Sequence, residues 1–227
     1  MTMKQFIRYH LVFIGIVLLC SLGAITYAYK VRANEIPTAS STANAAVTAP
    51  DQLIRQMTEE VLQQIRTDKA LQNGDPKKLQ SLVDSKIMPN INFQKMTALA
   101  VGRGWRGASP EQQKSLQTEF RTLLMKTYSG ALQSVQDQKI TVKPLRGKPD
   151  DTDTTVRTQI TRSGNDPIQL DYRLEKTSEG WKIYDVNVLG VWLIENYKNV
   201  FSEQQNNGGI DGLLQFLRER NQGKATK

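Results

Sequence analysis

Apolar positions recur at helical spacing through the first half of this chain and alternate in the second. Leu53, Met57, Val61 and Ile65 repeat at intervals of four, with Ile54 and Leu62 beside them. That stripe predicts an amphipathic helix over residues 51–66. Asn73-Gly74-Asp75-Pro76 stops one element and caps the next, and Leu79, Leu82, Val83, Ile87 and Met88 mark a second helix ended by Pro89. A short third helix spans residues 93–101. The longest begins at Pro110, where Ser109 and Gln112 have capping-box spacing, and its stripe runs from Leu116 and Phe120 through Ala131 and Leu132 to Val135.

After residue 138 the period becomes two. Residues 139–145, 154–162, 168–175 and 181–188 read as strands, separated by Gly147-Lys148-Pro149-Asp150, Gly164-Asn165-Asp166-Pro167 and Ser178-Glu179-Gly180. Such short links specify an antiparallel meander with one apolar face. Residues 189–197 follow, and a last helix is expected from Ile210 to Arg220, after Gly208-Gly209. The fold class is α+β, with several helices on one face of a small curved antiparallel sheet of about four strands.

The N-terminus changes the domain reading. Lys4 and Arg8 precede an apolar run over residues 11–28, and Val31-Arg32-Ala33 fits a signal-peptidase site. Residues 1–33 are read as an export signal, with an uncleaved anchor as the alternative. Residues 34–50 form a small-residue, polar linker, 51–222 one domain and 223–227 a tail. The 227-residue chain has 30 basic and 22 acidic residues. Four of the basic ones and none of the acidic ones lie in the leader, leaving +4 after residue 33. No basic run is interleaved with aromatics, so nucleic acid is not expected as a partner.

Composition also removes chemistry. Cys20 and His10 are the sole cysteine and histidine, and both are in the leader. The remaining chain has no histidine-based triad, no disulfide and no Cys/His metal site. Asp150, Asp151 and Asp153 cluster in a hairpin loop without EF-hand spacing. No catalytic residue or cofactor is assigned, and the chain is read as a non-enzyme. The glycines of Gly102-Arg103-Gly104-Trp105-Arg106-Gly107 have dinucleotide-loop spacing. They lie between two helices, so they read as a bend. Arg103 and Arg106 are expected to be exposed there, available to an acidic or headgroup surface. Trp105 and Trp181 are expected in the core.

Three blocks occur in order: WRGASPEQQ from Trp105, WKIYDVNVLGVW from Trp181 and GGIDGLLQFL from Gly208, with FRTLLMKTYSGAL from Phe120 between the first two. Together they resemble the MlaC family of periplasmic phospholipid-binding proteins, also called toluene-tolerance or Ttg2-type proteins, over residues 51–220. The resemblance implies a periplasmic, monomeric carrier that moves glycerophospholipid between the outer and inner membranes and maintains outer-membrane lipid asymmetry. The acyl chains would occupy an apolar cleft between sheet and helices. It also implies docking to an inner-membrane ABC transporter complex and to an outer-membrane lipoprotein–porin complex, with phospholipid as cargo. Block matching places Leu99, Val101, Phe120, Leu124, Tyr128, Ile160, Leu170, Tyr172, Val186, Val188 and Val191 at the cleft, with plain core packing as the other reading of each. The remaining alternative is an accessory or enzymatic domain with a closed core and a site built from carboxylates.

Overall fold

The computed structural model describes residues 48–133, 138–148, 150–161 and 167–223. The leader, nearly all of the linker, Val135 and most of the tail lie outside these residues. Among the described residues the chain runs α1 (Pro50–Thr67), α2 (Lys69–Gln72), α3 (Pro76–Leu82), α4 (Phe93–Val101), α5 (Gly104–Gly107) and α6 (Pro110–Gln133). Then come β1 (Lys139–Val142), β2 (Asp153–Thr161), β3 (Ile168–Thr177), β4 (Gly180–Val188), β5 (Val191–Trp192) and α7 (Leu193–Asn221). The sheet is a meander of five antiparallel strands in the order β1-β2-β3-β4-β5. The fifth strand is a two-residue addition to the four expected.

Local chemistry sets the helix starts. Pro50 opens α1, where a missing N–H costs nothing. The Asp68, Asp75 and Asn92 side chains accept backbone N–H bonds at the starts of α2, α3 and α4. At α6 the capping box is closed in both directions: Ser109 N–H donates to Gln112 Oε1 at 2.9 Å, and Gln112 N–H donates to Ser109 Oγ at 3.2 Å.

Two helical segments differ from the periodic reading. The helix expected to continue to Met88 changes pitch after Leu82, into a π-turn over Val83–Ile87 and a 3-10 turn over Met88–Asn90. Pro89 has no N–H, and its ring crowds the carbonyl one turn back, so regular α-helix cannot run through it. The segment after β4 gives only a turn and β5, and α7 begins already at Leu193. Gly208 and Gly209 then break its backbone, Gly209 at φ 61°. The last helix expected from Ile210 is the second arm of α7.

Three apolar clusters hold these layers. Ile54 and Met57 of α1 pack on Val142, Val156, Tyr172, Leu174 and Ile183 of the sheet. Val61 and Ile65, further along α1, meet Leu71, Leu79 and Leu82. Phe93, Phe120, Tyr197 and Phe201 join α4, α6 and α7, with Phe120 at 4.9 Å from Tyr197 and 5.1 Å from Phe201, edge to face. Each buried side chain of this size contributes roughly 1.5–3 kcal/mol, and each edge-to-face pair adds about 1 kcal/mol. Trp105 and Trp181 are half-buried, Trp181 packing on the first cluster from its edge, so neither is a central core residue.

The glycine-rich bend and the break in α7 meet. Gln205 donates to the carbonyl of Val101 at 3.0 Å. A Cβ on Gly104 would overlap the Gln205 amide and come within 2.8 Å of Ile210 Cδ1, whereas one on Gly107 would meet nothing. Gly104→Val should therefore destabilise the domain by roughly 1–3 kcal/mol through overpacking, while Gly107→Ala stays within about 0.5 kcal/mol of the parent. Urea denaturation of both variants measures the difference.

Candidate functional site

Sheet register gathers part of the candidate set into rows. Strand partners share a face, so Val142, Thr158, Leu170, Val188 and Val191 form one row across all five strands. The row on one side is Val156, Tyr172 and Val186; the row on the other is Ile140, Ile160 and Ile168. Burial changes along this face. Val156 and Tyr172 are 1% and 6% exposed under α1. Leu170, Val186, Val188, Val191, Ile160, Ile140 and Ile168 are only half-buried. The apolar face is thus closed beneath α1 and half-open toward the end of β2, the start of β3 and the β4–β5 turn.

The remaining candidates lie in the helical layer and do not form one group. Phe120 (1% exposed) is the centre of the aromatic cluster, and Val101 (3%) is closed core. Leu99 is 40% exposed. Leu124 and Tyr128 are half-buried on α6. The hydroxyls of Tyr128 and Tyr197 hydrogen-bond, and burial pushes both phenols above their ordinary range. Both are therefore neutral donor–acceptor groups at any physiological pH. A separate depression of about 260 Å³ at the other end of the sheet, between Pro50, Leu145, Lys148, Lys176 and Trp181, contains none of the candidates. Sequence reasoning missed Ile140 and Ile168 as members of the half-open rows. Their alternation with polar neighbours was visible, but which strand each would oppose was not.

The opposite face of the sheet is polar and carries the joint that positions the open end. Arg173 and Asp185 pair across β3 and β4, with 3.2 Å between Nη1 and Oδ2, and the Asp185 side chain has no solvent exposure. Its other oxygen accepts N–H bonds from Val186 at 2.9 Å and from Ile194, in the first turn of α7, at 3.1 Å. The Arg173 guanidinium lies 3.8 Å over the Trp192 ring. Asp185 therefore ties strand, edge strand and last helix together. Beside it, Tyr184 donates to the Asp153 carboxylate at 2.8 Å, and burial with that bond pushes the phenol up to about 12. Lys95 reaches from α4 over the Tyr184 ring to Glu175 at 2.5 Å. Asp151, from the acidic hairpin, accepts the Lys148 N–H at 2.7 Å as a turn closure. Arg103 and Arg106 are exposed in the bend, as expected.

The class these features define is an α+β domain in which helices cover one apolar sheet face incompletely and the opposite face is polar. The MlaC protein family model matches residues 55–219, and the chain belongs to that family. It is 44% identical to a solved phospholipid-binding protein from Ralstonia solanacearum in complex with a phospholipid, at a TM-score of 0.73 over 77% of this chain and 97% of that one. It is 25% identical, over 77% of its length and 83% of the relative's, to the intermembrane phospholipid transport system binding protein MlaC of Haemophilus influenzae. It is 23% identical to toluene tolerance protein ttg2D of Pseudomonas putida, over 73% of its own length and 77% of the relative's.

Burial pushes the Asp185 carboxyl above the usual carboxylate range, against the pull of its two N–H donors and Arg173. A raised folded pKa means that the fold holds the proton more tightly than the unfolded chain does. The resulting stabilisation is complete at acid pH and is lost as pH rises from the ordinary carboxylate range through the folded value. Asp185→Asn should abolish that pH slope while keeping an oxygen for both N–H groups. Asp185→Ala should cost roughly 1–3 kcal/mol, since it leaves the Val186 and Ile194 N–H groups without their acceptor. Urea unfolding across a pH series measures both.

Proposed function

We propose that this protein binds one glycerophospholipid and carries it between the outer and inner membranes. The observation that carries the reading is the half-open apolar face beyond Tyr172, in a chain 44% identical to a protein solved with phospholipid. The acyl chains lie along Ile160, Leu170, Val186, Val188 and Val191, with Ile140 and Ile168 beside them. Leu99, Leu124 and Tyr128 approach from the helical layer, and the headgroup stays near solvent. Val101 and Phe120, sealed in the helical layer, and Tyr172, sealed beneath α1, back the site from two separate clusters rather than line it.

The physical requirement is burial. Two acyl chains contain on the order of 30 methylenes, and exposing each to water costs about 0.8 kcal/mol. Only a site that covers nearly all of that surface lets a lipid leave a bilayer. The bilayer covers it equally well, so transfer is close to balanced and needs no covalent step. Docking partners then set direction. We assign residues 1–33 to export into the periplasm and the docking partners to the inner-membrane ABC transporter complex and the outer-membrane lipoprotein–porin complex, with the carrier working as a monomer. Arg103 and Arg106 are a candidate contact for those partners. The role of the process is maintenance of outer-membrane lipid asymmetry.

Organic extraction of natively purified protein, followed by mass spectrometry, should yield about one phospholipid per chain; protein free of lipid would overturn the reading. Val191→Glu sets an unpaired carboxylate against the acyl methylenes, at a cost of several kcal/mol. It should lower lipid content at least about tenfold, while water entering the empty site keeps the melting temperature within a few degrees of the parent. Retained lipid in that variant removes Val191 from the site, and a collapsed melting temperature places it in closed core.

A further inference from the structure

The β4–β5 turn contains a leucine in a position that favours glycine, asparagine or aspartate. Val188 and Val191 are strand partners, so Leu189 and Gly190 are the two central residues of a tight hairpin. Both have positive φ, 52° and 87°, as type I′ turns require, and Leu189 is the one non-glycine residue with positive φ among the described residues. The left-handed conformation is unfavourable for a residue with a Cβ, and asparagine tolerates it better than leucine does. Leu189 is also the most exposed of the large apolar side chains described, at 56%. Backbone conformation and solvation both disfavour leucine here.

The turn is nevertheless held firmly. The buried Asn187 side chain accepts the Gly190 N–H at 2.9 Å, and the Leu189 N–H donates to the Gln169 carbonyl at 3.2 Å. Its two flanking valines belong to the half-open apolar row, beside Leu170. A fixed, strained, exposed apolar side chain in the turn that links the last two members of such a row is the pattern of a residue kept for a ligand.

We infer that Leu189 is a rim contact for the acyl part of the cargo lipid, covering chain surface that the half-open face leaves uncovered and slowing its escape. The inference rests on the carrier reading above and adds to it a residue that sets retention. A leucine contact with an acyl chain protects a few methylenes, and its loss should speed lipid escape about tenfold.

The test uses delipidated full-length mature protein reloaded from phosphatidylglycerol vesicles. Escape to acceptor vesicles and thermal melting of the lipid-free form are measured for the parent, Leu189→Asn and Leu189→Met. Asparagine suits the turn, so Leu189→Asn should melt at or above the parent temperature and yet release lipid about tenfold faster. Leu189→Met keeps an apolar side chain and should release at close to the parent rate. Parent-like release by Leu189→Asn would falsify the inference. A lowered melting temperature in Leu189→Asn also overturns it, because the leucine is then structural. A parent protein that takes up no lipid overturns the carrier reading itself, a result distinct from either.

Discussion

The open end of this molecule depends on one buried carboxylate. Asp185 lies on the polar face of β4 with no solvent exposure, and its oxygens take the Arg173 guanidinium and the N–H groups of Val186 and Ile194. Ile194 is in the first turn of α7, and Trp192 beneath the guanidinium is the last residue of β5. A helix start carries unpaired N–H groups and a positive dipole end, and both are satisfied best by a negative oxygen. One side chain thus fixes where the sheet ends and where the last helix departs. The apolar row ending at Val188 and Val191 is positioned by that departure. Burial of Asp185 disfavours its charge. Its pairing therefore specifies geometry rather than adding net stability.

Stability comes instead from the closed half of the same face. Ile54 and Met57 seal Val142, Val156, Tyr172, Leu174 and Ile183, and the aromatic cluster around Phe120 locks the helices at the sheet's edge. Closed and half-open regions are consecutive along the strands: Val156 and Ile160 are both on the apolar face of β2, and only the first is sealed. This division lets half-buried apolar rows persist without collapse. A fully apolar, fully open sheet would be driven to close or to aggregate, whereas here the sealed rows hold α1 in place.

Much of this was legible in the residues. Helical stripes placed α1, α4 and α6, alternation and turn chemistry placed β1 to β4, and the Ser109–Gln112 capping box appeared as read. Where reading failed, the cause was tertiary. Pro89 signalled an end but not the π-turn before it. Gly208-Gly209 looked like a boundary between elements, yet the first arm of α7 is specified by Asp185, and no local pattern reveals that an aspartate in a strand caps a later helix. The candidate residues followed the same rule. Strand candidates such as Leu170 and Val188 share a row because register follows from short turns. Phe120 and Leu99 come from one helical layer but differ in exposure from 1% to 40%, and helix packing, not periodicity, decides which residue the core covers.

The Gly102–Gly107 segment illustrates how spacing alone misleads. A dinucleotide loop uses its glycines to admit a pyrophosphate at a helix N-terminus after a strand. Here Gly102, at φ 69°, ends α4, and Gly104 admits neighbouring side chains instead. The space beside it is filled by Gln205 and Ile210, which flank the glycine pair in α7. Gln205 bridges back to the Val101 carbonyl, which the left-handed exit of α4 leaves accessible. Both glycine-rich segments therefore belong to one joint, in which two breaks in helical geometry are stabilised against each other. Motif spacing specified that the backbone needed room; only the fold specified for what.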